Sequence, residues 1–232
     1  KVDLINSGKP TIVEKDIDSI ISEQFNNGRI RATSNFVEAV SDSDISIICV
    51  GTPSSSTGHL NLKYVYNVAE EIGKSLREKD SFHVVVIRST VFPGTNLKVG
   101  EIIEEFSGKK RNVDFGVVSN PEFLREGTAV SDYFNPPVTV IGSDDDKSFA
   151  LIESLYKDLN GSTERVAINE AEIIKYVNNS FHALKITFAN EVGNVCKKLG
   201  IDSHRVMEIF AMDKQLNISS YYFKIFLSNI IF

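Results

Sequence analysis

Val113-Asp114-Phe115-Gly116-Val117-Val118-Ser119-Asn120-Pro121-Glu122-Phe123-Leu124-Arg125-Glu126-Gly127 is the stretch on which the reading of this chain turns. Residues 113–118 form an apolar, strand-like run, and the turn after it carries a carboxylate, Glu122. Pro121 fixes its own φ and biases Asn120 towards extended backbone, so the turn is stiff where the acid is mounted. Ligands of open α/β sheets bind outside the carboxyl ends of the strands. The stretch therefore predicts an acid held at the mouth of a cleft.

The same pattern recurs on the N-terminal side. Residues 45–50 are an apolar run ended by Gly51-Thr52-Pro53, and residues 84–87 are β-branched and followed by Arg88-Ser89-Thr90. Residues 61–77 between them have helical spacing (Leu62, Val65, Val68, Ala69, Ile72, Leu76), and residues 96–106 read as a further helix. Residues 138–141 predict another strand, residues 142–146 a turn, and residues 147–159 an amphipathic helix. Strands separated by helices imply βαβ units and a mostly parallel, Rossmann-like sheet. Right-handed crossovers then place the carboxyl ends of parallel strands along one edge. Thr52, Thr90 and Glu122 each follow a different expected strand. Any one of them alone is adequately read as turn punctuation. Together on one edge they predict a site.

A long helix is expected next. Asn169-Glu170-Ala171-Glu172 reads as a capped start with acids in the first turn, and Gly200 after Lys197 and Lys198 as a stop. Ile173, Val177, Phe181, Leu184, Phe188, Val192 and Val195 share one face at helical spacing. Lys175, Asn179, His182, Ile186 and Asn190 share the opposite one. That second stripe lacks the Glu/Lys pairs that usually decorate a solvated face. Its ammonium, amides and imidazole suit a polar ligand. A Lys followed four residues later by an Asn puts two donors one turn apart.

Composition narrows the classes. The chain has 232 residues, 42% hydrophobic and 24% charged, which is ordinary for a protein with a real core. A net charge of -6 argues against nucleic acid and anionic membranes as partners. No apolar run reaches the ~20 residues needed to span a bilayer. Two cysteines, Cys49 and Cys196, make no disulfide framework, so a reducing cytoplasm is expected. Cys49 falls in an expected buried strand and Cys196 towards the apolar side of the long helix, so both are expected to be inert. No metal site is expected.

These segments together resemble the UDP-glucose/GDP-mannose dehydrogenase family. The matching motifs are Val50-Gly51-Thr52-Pro53, Arg88-Ser89-Thr90-Val91-Phe92-Pro93-Gly94-Thr95, Asn120-Pro121-Glu122-Phe123-Leu124-Arg125-Glu126-Gly127 and Ile174-Lys175-Tyr176-Val177-Asn178-Asn179. Two further runs, Phe188-Ala189-Asn190-Glu191-Val192-Gly193 and Leu216-Asn217-Ile218-Ser219-Ser220-Tyr221-Tyr222, are most similar to the GDP-mannose branch. In order and at the family's spacing, they form a strong signal over about residues 1–222.

The resemblance implies NAD as cofactor and a nucleotide sugar as substrate. The sugar's C6 alcohol is oxidised to a carboxylate, as in GDP-mannose to GDP-mannuronate, for polysaccharide synthesis. A cysteine thiolate carries the thiohemiacetal and thioester stages. It implies that Lys175 supplies a cation to the developing oxyanion with Asn179 as a neutral donor. Glu122 acts as base or water-organiser, Thr90 positions water or nicotinamide, and Thr52 touches NAD. Glu126, Lys175, Asn179, His182, Asn190, Tyr221 and Tyr222 match positions around the sugar nucleotide. The organisation implied is a partial NAD-binding domain over residues 1–165 and a central helical region over residues 166–222. The latter joins two copies through its long helix.

Two departures shape the expectation. The family's opening strand, Gly-x-Gly-x-x-Gly turn and helix have no counterpart here, about thirty residues or one βαβ unit's worth. Residues 223–232 depart from the Gly-Gly-Ser-Cys segment that bears the nucleophile, and form an apolar, β-prone tail. The chain is thus expected to be an internal fragment that does not turn over alone. The alternatives are a UDP-glucose-type substrate, a β-hydroxyacid dehydrogenase with a similar Lys and Asn pair, and a non-catalytic sugar-nucleotide-binding or dimerisation piece. The Asn-Pro-Glu-Phe-Leu-Arg-Glu-Gly run argues against the second of these.

Overall fold

In the computed structural model, residues 1–54 and 59–214 are described. Three short helices come first: α1 (Val2–Ile5), α2 (Ile17–Asn26) and α3 (Phe36–Ser41). Two βαβ units follow, built from β1 (Ile45–Ile48), α4 (Lys63–Leu76), β2 (His83–Ile87), α5 (Thr95–Ser107) and β3 (Phe115–Ser119). Next come α6 (Ala129–Phe134), β4 (Val138–Ser143), α7 (Asp146–Glu153) and β5 (Ser162–Val166). The helices α8 (Ile168–Leu199) and α9 (Ser203–Met212) complete the order.

The strands form one sheet in the order β1-β2-β3-β4-β5. β1, β2 and β3 are mutually parallel, as are β4 and β5. β3 and β4 run antiparallel through Val118 opposite Ser143 and Ser119 opposite Gly142. The mostly parallel expectation holds, with one reversal that periodicity does not reveal. Its consequence is functional. Only β1, β2 and β3 have their carboxyl ends on the edge that carries Thr52, Thr90 and Glu122.

The central strands are buried on both faces. Val85 and Ile87 of β2, with Phe115 and Val117 of β3, join a core completed by Val65, Ala69 and Ile72 of α4 and Val99 and Ile103 of α5. Val84 and Val86 of β2, with Val118 of β3, join a second core with Ile141 of β4, Ile152 of α7 and Tyr156. Side chains alternate across a strand, so β2 and β3 serve both cores at once. Covered on both sides, they read as continuous apolar runs.

Several boundaries differ from the sequence reading. Val113 is 63% exposed and precedes the strand, in a turn where Asn112 has φ +61°. β5 reads Ser-Thr-Glu-Arg-Val, an edge strand with no apolar alternation, and was not expected. The helix expected over residues 147–159 ends at Glu153. α8 begins at Ile168, so Asn169 lies inside it. Glu170 instead reaches back to the Ala167 N–H at 2.9 Å, which frees Glu172 for another task. The chain divides into two compact units, Lys1–Val177 and Asn178–Phe232. Among the described residues no helix is long and apolar enough to cross a membrane.

Candidate active site

The loops after β1, β2 and β3 are laced together. Ser89 Oγ donates to the Val50 carbonyl at 2.7 Å, and Thr52 Oγ1 donates to the Thr90 carbonyl at 3.0 Å. The Asn120 N–H donates to the Ile87 carbonyl at 3.0 Å, which carries the ladder one residue past β3. These bonds hold Thr52, Thr90 and Glu122 around one open pocket of about 300 Å³, together with Cys49, Arg88 and Ser89. The volume is at the lower end for small-molecule sites. Its hydroxyls and guanidinium suit a ribose or a phosphate.

Glu122 is fixed at both oxygens. Oε2 accepts from the Leu124 N–H at 2.6 Å, and Oε1 lies 2.9 Å from Lys175 Nζ. Lys175 is buried at 8% exposure, and its ammonium also stands 5.7 Å from the centre of the Phe123 ring. Such a cation is tolerated because it is paired.

Two contacts place Lys175 there. Ala171 packs on β4 at Gly142, where a Cβ would lie 2.6 Å from the Ala171 Cβ and 3.0 Å from the Ile168 Cα. Glu172, 3% exposed, accepts from the Gly94 N–H, the Asn96 N–H and Asn96 Nδ2, each at 2.7 Å. It thereby satisfies donors at the start of α5 that have no partner within that helix, where an acid is favoured. Gly94, at φ +94°, adopts the backbone that presents its N–H to Glu172. The first turns of α8 are thus tied to the sheet and to α5, and Lys175 follows one turn later.

A second network lies under the Glu122 turn. Arg88 Nη1 donates to Asn120 Oδ1 at 2.8 Å and to the Tyr156 hydroxyl at 2.9 Å. The Tyr156 hydroxyl donates to the same Asn120 oxygen. Asn120 Nδ2 donates to the Val140 carbonyl at 2.8 Å. Burial raises the Tyr156 phenol above its usual range, against the opposing charge of Arg88, so the group stays a neutral donor.

One expectation is corrected here. β1 ends at Ile48, so Cys49 is not in a buried strand; it is exposed and lines the pocket. Surrounding protein still desolvates the thiol and pushes its pKa up, with Arg88 opposing and Glu122 reinforcing. It is therefore predominantly protonated at neutral pH. Cys196 is buried at 5% exposure, as expected.

Glu126 is exposed on the turn. Asn179, His182 and Asn190 lie on the part of α8 in the second unit and are exposed, Asn190 beside a cleft with Asn194, Ser203 and His204. Tyr221, Tyr222 and the tail 223–232 lie outside the described residues. No group of three or more metal-ligating side chains occurs among the described residues. Arg88, Asn120 and Tyr156 were not singled out from sequence. The signal for Arg88 was a charged residue directly after an unbroken β-branched strand.

The fold defines a Rossmann-like α/β protein with an open pocket at its parallel strand ends. Residues 1–160 match the model of the UDP-glucose/GDP-mannose dehydrogenase family, NAD binding domain, and residues 169–225 that of the same family's central domain. The chain belongs to this family. It is 49% identical to GDP-mannose 6-dehydrogenase of Pseudomonas putida over 225 residues, covering 97% of this chain and 51% of that protein. It is 37% identical to UDP-glucose 6-dehydrogenase AglM of Haloferax volcanii over 218 residues, covering 91% of this chain and 50% of that one. The crystal structure of a ternary complex of GDP-mannose dehydrogenase from Pseudomonas aeruginosa superposes with a TM-score of 0.94 at 49% identity, over 96% of this chain and 51% of that one. A UDP-glucose dehydrogenase from Pyrobaculum islandicum gives 0.87 at 39% identity, over 92% and 49%. The chain spans about half the length of the relatives it matches.

Proposed function

We propose that this chain carries the cofactor-facing and part of the sugar-facing half of an NAD-dependent nucleotide-sugar 6-dehydrogenase, with a GDP-mannose-type substrate. The observation that carries the reading is the Glu122–Lys175 pair, mounted at 2.9 Å beside the Thr52 and Thr90 strand ends. The 49% identity to GDP-mannose 6-dehydrogenases, against 37% to the Haloferax enzyme, favours the guanosine nucleotide over uridine.

NAD, when bound, supplies the hydride acceptor for the C6 carbon. Thr52 and Thr90 offer hydroxyls to its ribose or to an ordered water. Glu122 receives or relays the alcohol proton, because its carboxylate is already oriented by Lys175 and the Leu124 N–H. Lys175 sets a positive charge beside the oxygen that gains negative charge, with little reorganisation because α8 is anchored at Glu172. Asn179, His182, Asn190, Glu126, Tyr221 and Tyr222 complete the sugar-nucleotide site in this reading. Neither cysteine serves as the nucleophile of the later stages: the Cys49 thiol is held protonated and Cys196 is buried.

The reading makes the protein a homodimer through α8. In the second unit Leu184, Phe188 and Val195 of α8, with Ile209 and Phe210 of α9, are exposed. Large apolar side chains exposed close together are the kind of surface that a partner covers.

Calorimetric titration tests the function. The chain binds GDP-mannose more tightly than UDP-glucose, and Lys175→Met weakens that binding at least tenfold. Equal affinity for the two sugars overturns the guanosine assignment. GDP-mannose affinity unchanged by Lys175→Met overturns the site. The 232-residue chain alone forms no NADH from either sugar, and robust turnover would remove the claim that the nucleophile lies elsewhere.

A further inference from the structure

The reading of Glu122 as a reacting group leaves open what fixes its turn against the sheet. The turn follows β3 directly, and Pro121 stiffens it without anchoring it. The anchor is Asn120, whose carboxamide is 1% exposed and fully engaged. Its oxygen accepts from both Arg88 and Tyr156, and its nitrogen donates to Val140 on β4. Arg88 comes from the end of β2 and Tyr156 from the segment after α7, so four separate stretches meet at one side chain.

We propose that Arg88 and Tyr156 are positioning residues that clamp Asn120 and thereby set where the Glu122 carboxylate meets Lys175 and faces the pocket. This rests on the proposed role of Glu122. The chemistry of the donors suits the task. A guanidinium is charged at every working pH and presents its donors in a fixed plane. A buried phenol donates one proton in one direction. A single acceptor held from two sides is confined both in position and in rotation. Among the described residues Arg88 has no carboxylate within ion-pair distance, so its first commitments are to this amide and this phenol.

The protein contains its own reporter for the clamp. Cys49 is exposed in the same pocket, and its thiol responds to Glu122, which raises its pKa, and to Arg88, which lowers it. Cys196 is buried, so thiol-specific alkylation of the folded chain reads Cys49. The rate of alkylation against pH gives the Cys49 pKa without substrate or cofactor.

The experiment is a double-mutant cycle on that pKa in the 232-residue chain. Glu122→Gln lowers it, because the neighbouring negative charge is gone. Tyr156→Phe, which deletes one oxygen from the clamp, also moves it in the wild-type background as the carboxylate loses its fixed place. In the Glu122→Gln background Tyr156→Phe has a smaller effect, because only the direct influence of Arg88 on the thiol remains. In parallel, the Leu124 amide proton, which donates to Glu122, moves upfield in the nuclear magnetic resonance spectrum of Tyr156→Phe. A folded Tyr156→Phe protein with an unchanged Cys49 pKa and Leu124 shift overturns the proposal. So does an equal pKa shift in both backgrounds, which would mean that the effect bypasses Glu122. Circular dichroism establishes folding, and Asn120→Ser, which is too short to hold both donors, is read in the same way if Tyr156→Phe does not fold. Failure of the functional reading is seen separately, as GDP-mannose binding that ignores Lys175, and leaves the cycle interpretable.

Discussion

Lys175 Nζ lies 2.9 Å from Glu122 Oε1, joining the third turn of a helix to a turn at the end of a strand. The pair is neither on the surface nor sealed: the Lys175 side chain is 10% exposed and that of Glu122 is 30% exposed. Its strength therefore lies between the two familiar limits. Exposed pairs contribute about 0–1 kcal/mol, and breaking a buried pair costs about 3–5 kcal/mol. Lys175→Met is expected to destabilise the first unit by about 1–3 kcal/mol in urea unfolding. A second substitution, Glu122→Gln, recovers part of that loss, because no unpaired carboxylate remains.

Glu172 tests whether the helix carrying Lys175 is anchored as the geometry indicates. Its carboxylate takes three N–H donors at the start of α5. Hydrogen bonds to charged groups contribute about 1.5–3 kcal/mol each, and buried donors left without partners add to the loss. Glu172→Ala is expected to cost about 3 kcal/mol or more, and Glu172→Gln less, because the amide keeps one acceptor oxygen. Hydrogen exchange at the Gly94 and Asn96 amides checks the mechanism: both lose protection in the Ala variant ahead of the central strands.

How far the sequence carried this picture follows from what periodicity encodes. β2 and β3 were legible because both of their faces are buried, so their runs are apolar without a break. β5 was not, because Ser-Thr-Glu-Arg-Val sits at the sheet edge with charges on it. The reversal between β3 and β4 is a matter of connection, invisible in either strand alone. Thr52, Thr90 and Glu122 were brought to one edge by counting strands, and Lys175 by helix spacing. Glu172 reads as a first-turn acid of its own helix, yet it caps α5. That partner lies far along the chain, where local spacing has no reach. Cys49 belongs to an apolar run, residues 45–50, of which only Ile45–Ile48 is strand, and periodicity does not mark where the strand stops.

His83 gives the first unit an acid-side dependence. The ring is fully buried, with Nδ1 3.0 Å from the Ser43 carbonyl and Nε2 2.8 Å from Ser46 Oγ. A carbonyl only accepts, so Nδ1 carries the proton and Nε2 accepts from the serine. Burial, with the Lys79 ammonium second, lowers the pKa to about 4. The folded value is below the unfolded one, so the fold favours the neutral ring. This contribution is complete above about pH 6.5, declines as pH falls to about 4, and amounts to about 3 kcal/mol once lost. Urea unfolding at a series of pH values between those limits shows the decline, and His83→Gln removes its share. Lys79→Met raises the His83 pKa and narrows the window. The same variant lowers stability at every pH, because Lys79 Nζ donates to the carbonyls of Val40 and Ser41 in the last turn of α3 and of Ser43 just past it.

Phe188 of α8 and Phe210 of α9 have ring centres 5.4 Å apart and are 47% and 41% exposed. They border an apolar groove of about 780 Å³ with Phe181, Leu184 and Met207. Leaving such side chains in water forgoes about 25 cal/mol for each Å² that a partner surface could cover. If a second copy covers them, Phe188→Asp places a charge in a desolvated contact, which is unfavourable unless the charge is paired. Light scattering is expected to report a dimer for the wild-type chain and a monomer for Phe188→Asp at the same concentration. Thermal unfolding of the first unit should be unchanged in the variant, because Phe188 contributes to neither of the cores built around β2 and β3. A dimer that persists with Phe188→Asp assigns the contact to another surface, and a monomeric wild-type chain removes the pairing altogether.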